Sequence, residues 1–144
     1  MTAQPTFTQG EALSVLTHAP AEAVKTLAEA LLERIRNVEV LTSRTGLVML
    51  PYRDSAQGAV FHLGEVLVAE AHIRIEGGAQ GYGLVLGRDL EFAMAIAVID
   101  AALSAEINRP AIEMFLEAQR QAQAAADDLL LRQVAATRIE LETF

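Results

Sequence analysis

The sequence predicts an α+β fold in which a four-stranded antiparallel sheet, made of two hairpins, packs with an N-terminal helix region and two C-terminal helices. Three patterns carry this prediction. Apolar residues recur at helical spacing in residues 24–35, apolar and polar residues alternate in residues 69–76, and two long helix-forming segments follow residue 89. With 144 residues, the chain is expected to form a single domain over residues 1–144, which can bury roughly 70% of its unfolded surface.

The first helix is predicted to begin at Pro20 and to end near Asn37. Proline suits the first turn of a helix because the N–H that it lacks would have no partner there. The predicted buried face consists of apolar residues spaced three or four apart, namely Val24, Leu27, Ala28, Leu31 and Ile35. Charged residues lie between them, so this helix should pack one side against the core.

Two hairpins are predicted to form the sheet. In the first, strands at residues 38–42 and 47–52 flank a turn at residues 43–46, where Gly46 can adopt a positive φ. Pro51 indicates that the second of these strands either ends there or lies at an edge. In the second hairpin, the alternating strand at residues 69–76 is followed by a turn and by a strand at residues 81–87.

Two helices are predicted after the sheet. Asp89 should cap the first, because an aspartate side chain accepts the N–H bonds that a helix start leaves unpaired. The core stripe of this helix is predicted to be Phe92, Ile96, Ile99 and Leu103. A final helix from about residue 110 to residue 136 would be about 39 Å long. A domain of this size cannot cover that length, so part of the helix should project toward a partner.

The charge balance excludes several classes of partner. The chain has 19 acidic and 11 basic residues, for a net charge of -8, so it lacks the cationic face that nucleic acid or anionic lipid requires. Its first residues do not resemble a signal sequence, and no apolar run reaches the ~20 residues of a bilayer span, so we expect a cytoplasmic protein. The absence of cysteine excludes an iron–sulfur cluster held by thiolates of this chain.

Three glycines, Gly81, Gly83 and Gly87, lie in the last predicted strand. Their spacing differs from the dinucleotide-binding Gly-x-Gly-x-x-Gly pattern, and they do not open a helix after a strand. We therefore expect them to allow the close approach of another backbone, from this chain or from a partner.

Several segments, taken together and in order, resemble those of one bacterial protein family. The best-matched block comprises residues 61–75, 81–89 and 99–103, the last reading Ile-Asp-Ala-Ala-Leu. Outside it lie Ser-Val-Leu at 14–16, Thr-Gly-Leu-Val at 45–48 and Thr-Arg-Ile-Glu-Leu-Glu-Thr at 137–143. On these motifs the chain resembles the PhnG family, the G subunit of the bacterial carbon–phosphorus lyase core complex, which takes part in alkylphosphonate breakdown.

The resemblance implies a subunit of a transferase complex, alpha-D-ribose 1-methylphosphonate 5-triphosphate synthase. In that complex the I subunit, helped by the G, H and L subunits, displaces adenine from ATP with a phosphonate to give ribose 1-phosphonate 5-triphosphate. The J subunit later cleaves the carbon–phosphorus bond by radical chemistry at an iron–sulfur cluster. The implied partners are the H, I and J subunits in an oligomeric assembly, with the I subunit in direct contact and the L subunit assisting. No cofactor is expected in this chain.

Four charged residues of the matched block are candidates for an interface or a composite site: Glu65, Arg88, Asp89 and Asp100. Arg88 stands beside a predicted helix N-terminus and would there suit a phosphate or phosphonate shared with another subunit. The alternative is a surface arginine, or one paired with Glu91 or a partner's carboxylate. Asp89 is interpreted as a cap and not as an acid.

Asp100 interrupts a run of alanine and aliphatic residues and should be partly buried. A buried carboxylate needs a partner. One interpretation is a general base with a raised pKa. The interpretation that we favour is a structural pair with an arginine, such as Arg88, Arg109 or one supplied in trans.

Neither a metal site nor a self-contained active site is predicted. His18, His62 and His72 lack the spacing of metal ligands, and no P-loop, nucleophile elbow or paired-carboxylate motif occurs. We therefore interpret the chain as a required but non-catalytic subunit that shapes and stabilises the I subunit. Two alternatives stay open: Arg88 or Asp100 enters a composite active site, or the chain is a stand-alone small-molecule binding module.

Overall fold

The computed structural model describes residues 7–53 and 60–142. The elements in chain order are α1 (Gln9–His18), α2 (Ala21–Leu32), β1 (Glu39–Arg53), β2 (Val60–Arg74), β3 (Gln80–Leu86), α3 (Leu90–Ser104) and α4 (Arg109–Glu142). The strand order is β1-β2-β3, and both pairings are antiparallel. The predicted α+β class with an antiparallel sheet is confirmed.

β1 is one continuous strand of 15 residues, so the prediction of four strands in two hairpins is wrong for the described part of the chain. The ladder with β2 runs from Glu39 opposite Arg74 to Arg53 opposite Val60. Residues 43–46 lie inside it, where Gly46 pairs with Val68. Because β2 is as long as β1, a turn at these residues would have left half of β2 without its ladder hydrogen bonds.

Of the two alternatives predicted from Pro51, the edge position holds, because β1 is the outer strand of the described sheet, whereas the strand does not end at Pro51 but continues to Arg53. A proline is tolerated there because an edge strand has backbone positions whose N–H is not needed by the ladder. β2 continues to Arg74, and residues 75–79 lead into β3, which pairs with residues 68–74 of β2. β3 therefore covers only the second half of β2.

The N-terminal region contains two helices. α1 was not predicted as a separate element; Thr8 caps it through a 3.2 Å hydrogen bond from the Glu11 N–H to Oγ1. α2 begins directly after Pro20, as predicted, but ends at Leu32 and not near Asn37. The next residues bond three positions back, from the Arg34 N–H to the Leu31 carbonyl, and Asn37 has a φ of 55°. That tighter turn and the left-handed residue stop the helix early.

α3 is the central helix of the core. Asp89 caps it as predicted, and all of residues 95–103 are buried, including the predicted Ile96, Ile99 and Leu103. Its contacts explain this burial on all sides, because α3 packs against β2 and β3 and also against α1, α2 and α4. A helix that is apolar around its whole circumference belongs in such a position.

α4 has 34 residues, which corresponds to a length of about 51 Å. Its first turns pack on the body through Ile112 and Leu116, both fully buried. Gln123 makes a further hydrogen bond there, from Nε2 to the Val15 carbonyl at 3.0 Å. Residues 124–137 are exposed, so the last helix extends beyond the body as predicted, and its extension toward a partner stays a prediction. No described helix is both long and apolar enough to cross a bilayer.

Candidate functional site

Gly81 and Gly83 lie against the backbone of α3. A Cβ built on Gly81 would be 1.9 Å from the Ala97 carbonyl oxygen, and one built on Gly83 would be 2.1 Å from that of Ala93. Real Cβ atoms do not come this close to a backbone oxygen, so β3 and α3 can pack at this distance only through glycine. The backbone that approaches these two glycines therefore belongs to this chain.

Gly87 differs from the other two glycines. No described atom lies within 4 Å of a Cβ built on it, so this chain supplies no close backbone of the kind that we expected there. Its φ is 98°, a conformation that L side chains rarely adopt. Glycine is needed at this position to turn the chain from β3 toward α3.

Asp100 is buried in α3, with 4% of its surface exposed. Its Oδ2 accepts the Tyr82 N–H at 3.0 Å and the Gln9 side-chain amide at 3.1 Å. The carboxylate therefore connects α3 with β3 and α1. The favoured pairing with Arg88 or Arg109 is wrong for the described chain, because Asp100 bonds a backbone amide and a glutamine instead. An arginine supplied in trans stays a prediction.

The environment of Asp100 favours its protonated form. Burial raises the pKa of Asp100 above its ordinary value, while the hydrogen bonds from Tyr82 and Gln9 lower it and offset part of this effect. A group whose pKa is raised by folding adds stability below its ordinary pKa and loses that contribution as the pH rises through the folded value. Asp100 should therefore stabilise the fold more in acid than at neutral pH.

We expect the stability advantage of the wild type over Asp100→Asn to shrink as the pH rises from about 4, near the ordinary aspartate pKa, to 7. Asparagine keeps the shape but cannot ionise, so the difference isolates the titration of Asp100. Urea unfolding at several pH values measures it. Asp127→Asn, at an exposed position of α4, controls for the loss of one acidic group. A difference that grows with pH would contradict the assignment.

Asp89 occupies the N-terminus of α3. Its Oδ1 accepts the Phe92 N–H at 3.0 Å, and its Oδ2 accepts a hydrogen bond from Lys25 Nζ, also at 3.0 Å. The hydrogen bond from the Phe92 N–H has the largest effect in lowering the pKa of Asp89, and the bond from Lys25 lowers it further. Lys25 also lies 3.8 Å from carboxylate oxygens of Glu22 and Glu91. The helix start therefore already holds an anion, which is the aspartate of this chain.

Arg88 and Glu65 are both exposed. Of the alternatives for Arg88, an ion pair with Glu91 is absent from the described chain, where Glu91 lies 3.8 Å from Lys25. Glu65 lies in β2 opposite Met49 of β1. The structure does not bring Arg88, Glu65 and Asp100 into one described cluster, since Asp100 is buried against β3 and α1.

Two of the three histidines have described side chains. His72 Nε2 and Gln80 Oε1 are 2.8 Å apart, and His18 Nδ1 lies 2.8 Å from the Ser14 carbonyl oxygen. Both contacts are local polar contacts at the protein surface. The side chain of His62 lies outside the described residues. Among the described residues, no group of three or more potential ligands is placed to hold a metal ion.

One surface with exposed apolar side chains belongs to a two-stranded ribbon, formed by residues 47–53 of β1 and 60–67 of β2, beyond the part of β2 that β3 pairs with. The consecutive residues Leu47, Val48 and Met49 are 63%, 42% and 51% exposed. Because consecutive strand residues point to opposite faces, both faces of the ribbon leave apolar side chains in solvent. An isolated two-stranded ribbon is marginally stable in water, so this one is suited to a binding partner.

A second such surface is the α4 extension, residues 124–137. Its apolar side chains, Leu129, Leu130, Leu131 and Val134, are each at least 58% exposed. Clusters of large apolar side chains on a surface mark interaction sites. The ribbon and the α4 extension are therefore the candidate functional surfaces of the described chain.

Sequence reasoning missed Lys25, Gln9 and the ribbon. Lys25 and Asp89 are 64 positions apart in the chain, and no local pattern links them. Gln9 and Asp100 are 91 positions apart. The ribbon had a usable signal, because the run from Leu47 to Leu50 is apolar without alternation, which fits a strand whose two faces both contact protein.

Comparison with known proteins agrees with the resemblance noted in the sequence. The family model described as "Phosphonate metabolism protein PhnG" matches residues 8–144. A relative from Rhizobium meliloti (strain 1021), alpha-D-ribose 1-methylphosphonate 5-triphosphate synthase subunit PhnG, is 33% identical over 99 residues. That match covers 69% of this chain and 64% of the relative, so it spans less than two thirds of the relative's length. The chain belongs to the PhnG family of phosphonate metabolism proteins.

Proposed function

We propose that the chain is a required but non-catalytic subunit of the carbon–phosphorus lyase core complex, located in the cytoplasm. It supports the I subunit, which displaces adenine from ATP with an alkylphosphonate to form ribose 1-phosphonate 5-triphosphate. The name of the Rhizobium meliloti relative, a synthase subunit, supports this activity. The H and J subunits are further partners, and the L subunit assists.

The observation that carries the proposal is the exposed apolar surface of the described chain, which lies on the α4 extension and on the ribbon. The α4 extension spans 14 residues, about 21 Å of helix, and exposes four large apolar side chains. The ribbon exposes apolar side chains on both faces. A monomer would keep these surfaces in water at a cost of about 25 cal/mol for each Å² of apolar area, whereas a subunit buries them against its neighbours.

The contacts of the candidate acids support a non-catalytic role. The Asp89 carboxylate caps α3 and pairs with Lys25. The Asp100 carboxylate connects three elements of the fold. A general acid or base has to reach the proton that it transfers, and both carboxylates are used instead to hold this chain together.

The composite-site alternative depends on Arg88. Its side chain is exposed beside the start of α3, so a ligand held by another subunit could reach it. The negative charge of Asp89 weakens this alternative, because Asp89 lies next to Arg88 and its carboxylate already accepts the Phe92 N–H at the helix start.

Co-expression with the H, I and J subunits tests the proposed role. We expect the wild-type chain to co-purify with them and Leu130→Glu to weaken the association by about thirtyfold or more, since the loss of a central apolar contact costs at least about 2 kcal/mol. The free Leu130→Glu chain should fold normally because Leu130 is 58% exposed. Ala125→Glu adds the same charge at another exposed position of the α4 extension and is the matched control.

A wild-type chain that stays monomeric and apart from these subunits would contradict the proposal and favour the stand-alone binding module. Equal losses for Leu130→Glu and Ala125→Glu would show that added charge, and not the apolar contact, causes the effect.

A further inference from the structure

A cavity of about 260 Å³ lies beside α1, the end of α3 and the start of α4. Asp100 contributes to its wall, together with Gln9, Ser104 and Arg109. Phe7, also in the wall, contacts Arg120 of α4 through a cation–π interaction at 4.5 Å. The cavity therefore lies beside the part of α4 that packs on the body of the protein.

The Asp100 carboxylate is incompletely compensated in this cavity. An ionised carboxylate can accept about four hydrogen bonds. Oδ2 accepts the two shorter hydrogen bonds, from Tyr82 and Gln9, whereas Oδ1 has only a 3.4 Å contact with the Gln9 amide. Both donors are neutral, and no cationic group of the described chain contributes to the charge state of Asp100. Burial without a cation leaves the pKa of Asp100 raised, and a positive group that entered the cavity would stabilise the ionised carboxylate.

Arg109 lines the same cavity but does not neutralise Asp100. Its Nη1 donates to Glu113 at 3.0 Å and its Nη2 donates to the Leu103 carbonyl at 2.9 Å. Its Nε is buried and bonds no described atom. The guanidinium therefore binds groups at the start of α4, and the Asp100 carboxyl has no cationic partner in the described chain.

We propose that this cavity receives one cationic side chain of a partner protein, whose guanidinium or ammonium group pairs with Asp100. The inference rests on the proposed function, because it takes the occupant from a neighbouring subunit. Two observations favour that source. The cavity presents a buried carboxyl that has no cationic partner in the described chain, and it adjoins the packed half of α4, whose exposed half is the proposed docking surface. A guanidinium would bind the two carboxylate oxygens in parallel.

Two substitutions change the cavity in opposite ways. Asp100→Asn removes the charge with little change in shape. Gln9→Arg supplies a guanidinium from this chain at the position that already contacts Asp100. The partner's cation then has no site in either variant. Because Gln9 is exposed and the new arginine gains an ion pair, the Gln9→Arg chain should fold at least as stably as the wild type.

Affinity for the complex of the remaining core subunits is measured by titrating each purified chain into it. Asp100→Asn and Gln9→Arg should each weaken binding by about thirtyfold or more, the scale for losing one member of a desolvated charge pair. Glu33→Gln, which removes an exposed acidic charge from the end of α2, should change binding less than threefold.

If the wild type binds tightly and the affinities of Gln9→Arg and Asp100→Asn equal that of Glu33→Gln, the cavity proposal is overturned and the proposed function stands. Failure of the wild type itself to bind would overturn both. If Asp100→Asn fails to fold, Gln9→Arg decides the matter alone, with its folding checked by thermal denaturation.

Discussion

Gly81→Ala is expected to destabilise the chain by about 3 kcal/mol or more, at the upper end of what overpacking costs. The added Cβ would lie 1.9 Å from the Ala97 carbonyl oxygen and 2.6 Å from the Ala101 nitrogen. These are backbone atoms of a helix that is buried on all sides, so no rotamer change relieves the clash. Either β3 leaves β2 or α3 shifts away from the sheet. Urea denaturation of the purified chain measures the loss.

Gly46→Ala is the matched control, because Gly46 also lies in a strand but has open space around its Cβ position. Alanine there should leave stability within about 0.5 kcal/mol of the wild type or raise it slightly, since glycine in a strand interior costs conformational entropy. Equal stabilities for the two variants would show that α3 does not pack as closely against β3 as the structure describes.

Local chemistry explains which parts of the fold could be predicted. The Asp89 cap and the start of α2 after Pro20 depend on interactions within a few residues, and both were correct. The number of strands was not predictable in this way. The segment at residues 43–46 has the composition of a turn, and only its pairing with residues 68–71 of β2 makes it continuous strand, so a long-range contact overrode the local preference.

The candidate site residues show the same difference between local features, which could be predicted, and long-range contacts, which could not. Burial of Asp100 was predictable from its apolar neighbours, but its partners were not, because Gln9 and Tyr82 reach it only after α1, β3 and α3 pack together. For Gly81 and Gly83, the glycine spacing predicted that another backbone segment packs closely against the strand, but it did not indicate that this segment is α3. The α4 extension could be predicted as a projection from length alone. Its proposed partner could not be predicted in this way, because the complementary surface would lie on another chain.

We propose that the complex needs this chain for assembly and that none of its side chains takes part in the reaction with ATP and phosphonate. Adenine release from ATP and methylphosphonate tests both halves when the complex is assembled with the wild-type chain, with Arg88→Ala, or without the chain. Arg36→Ala removes the same charge from another exposed position and serves as the control. The size and subunit content of each complex are checked before the assay.

We expect no adenine release without the chain, and release at the wild-type rate and ATP affinity with either arginine variant. An Arg88→Ala complex that assembles normally but loses about tenfold or more in apparent ATP affinity would contradict it, since a lost charge-assisted contact to the triphosphate costs about 1.5 to 3 kcal/mol. Full release without the chain would contradict it equally.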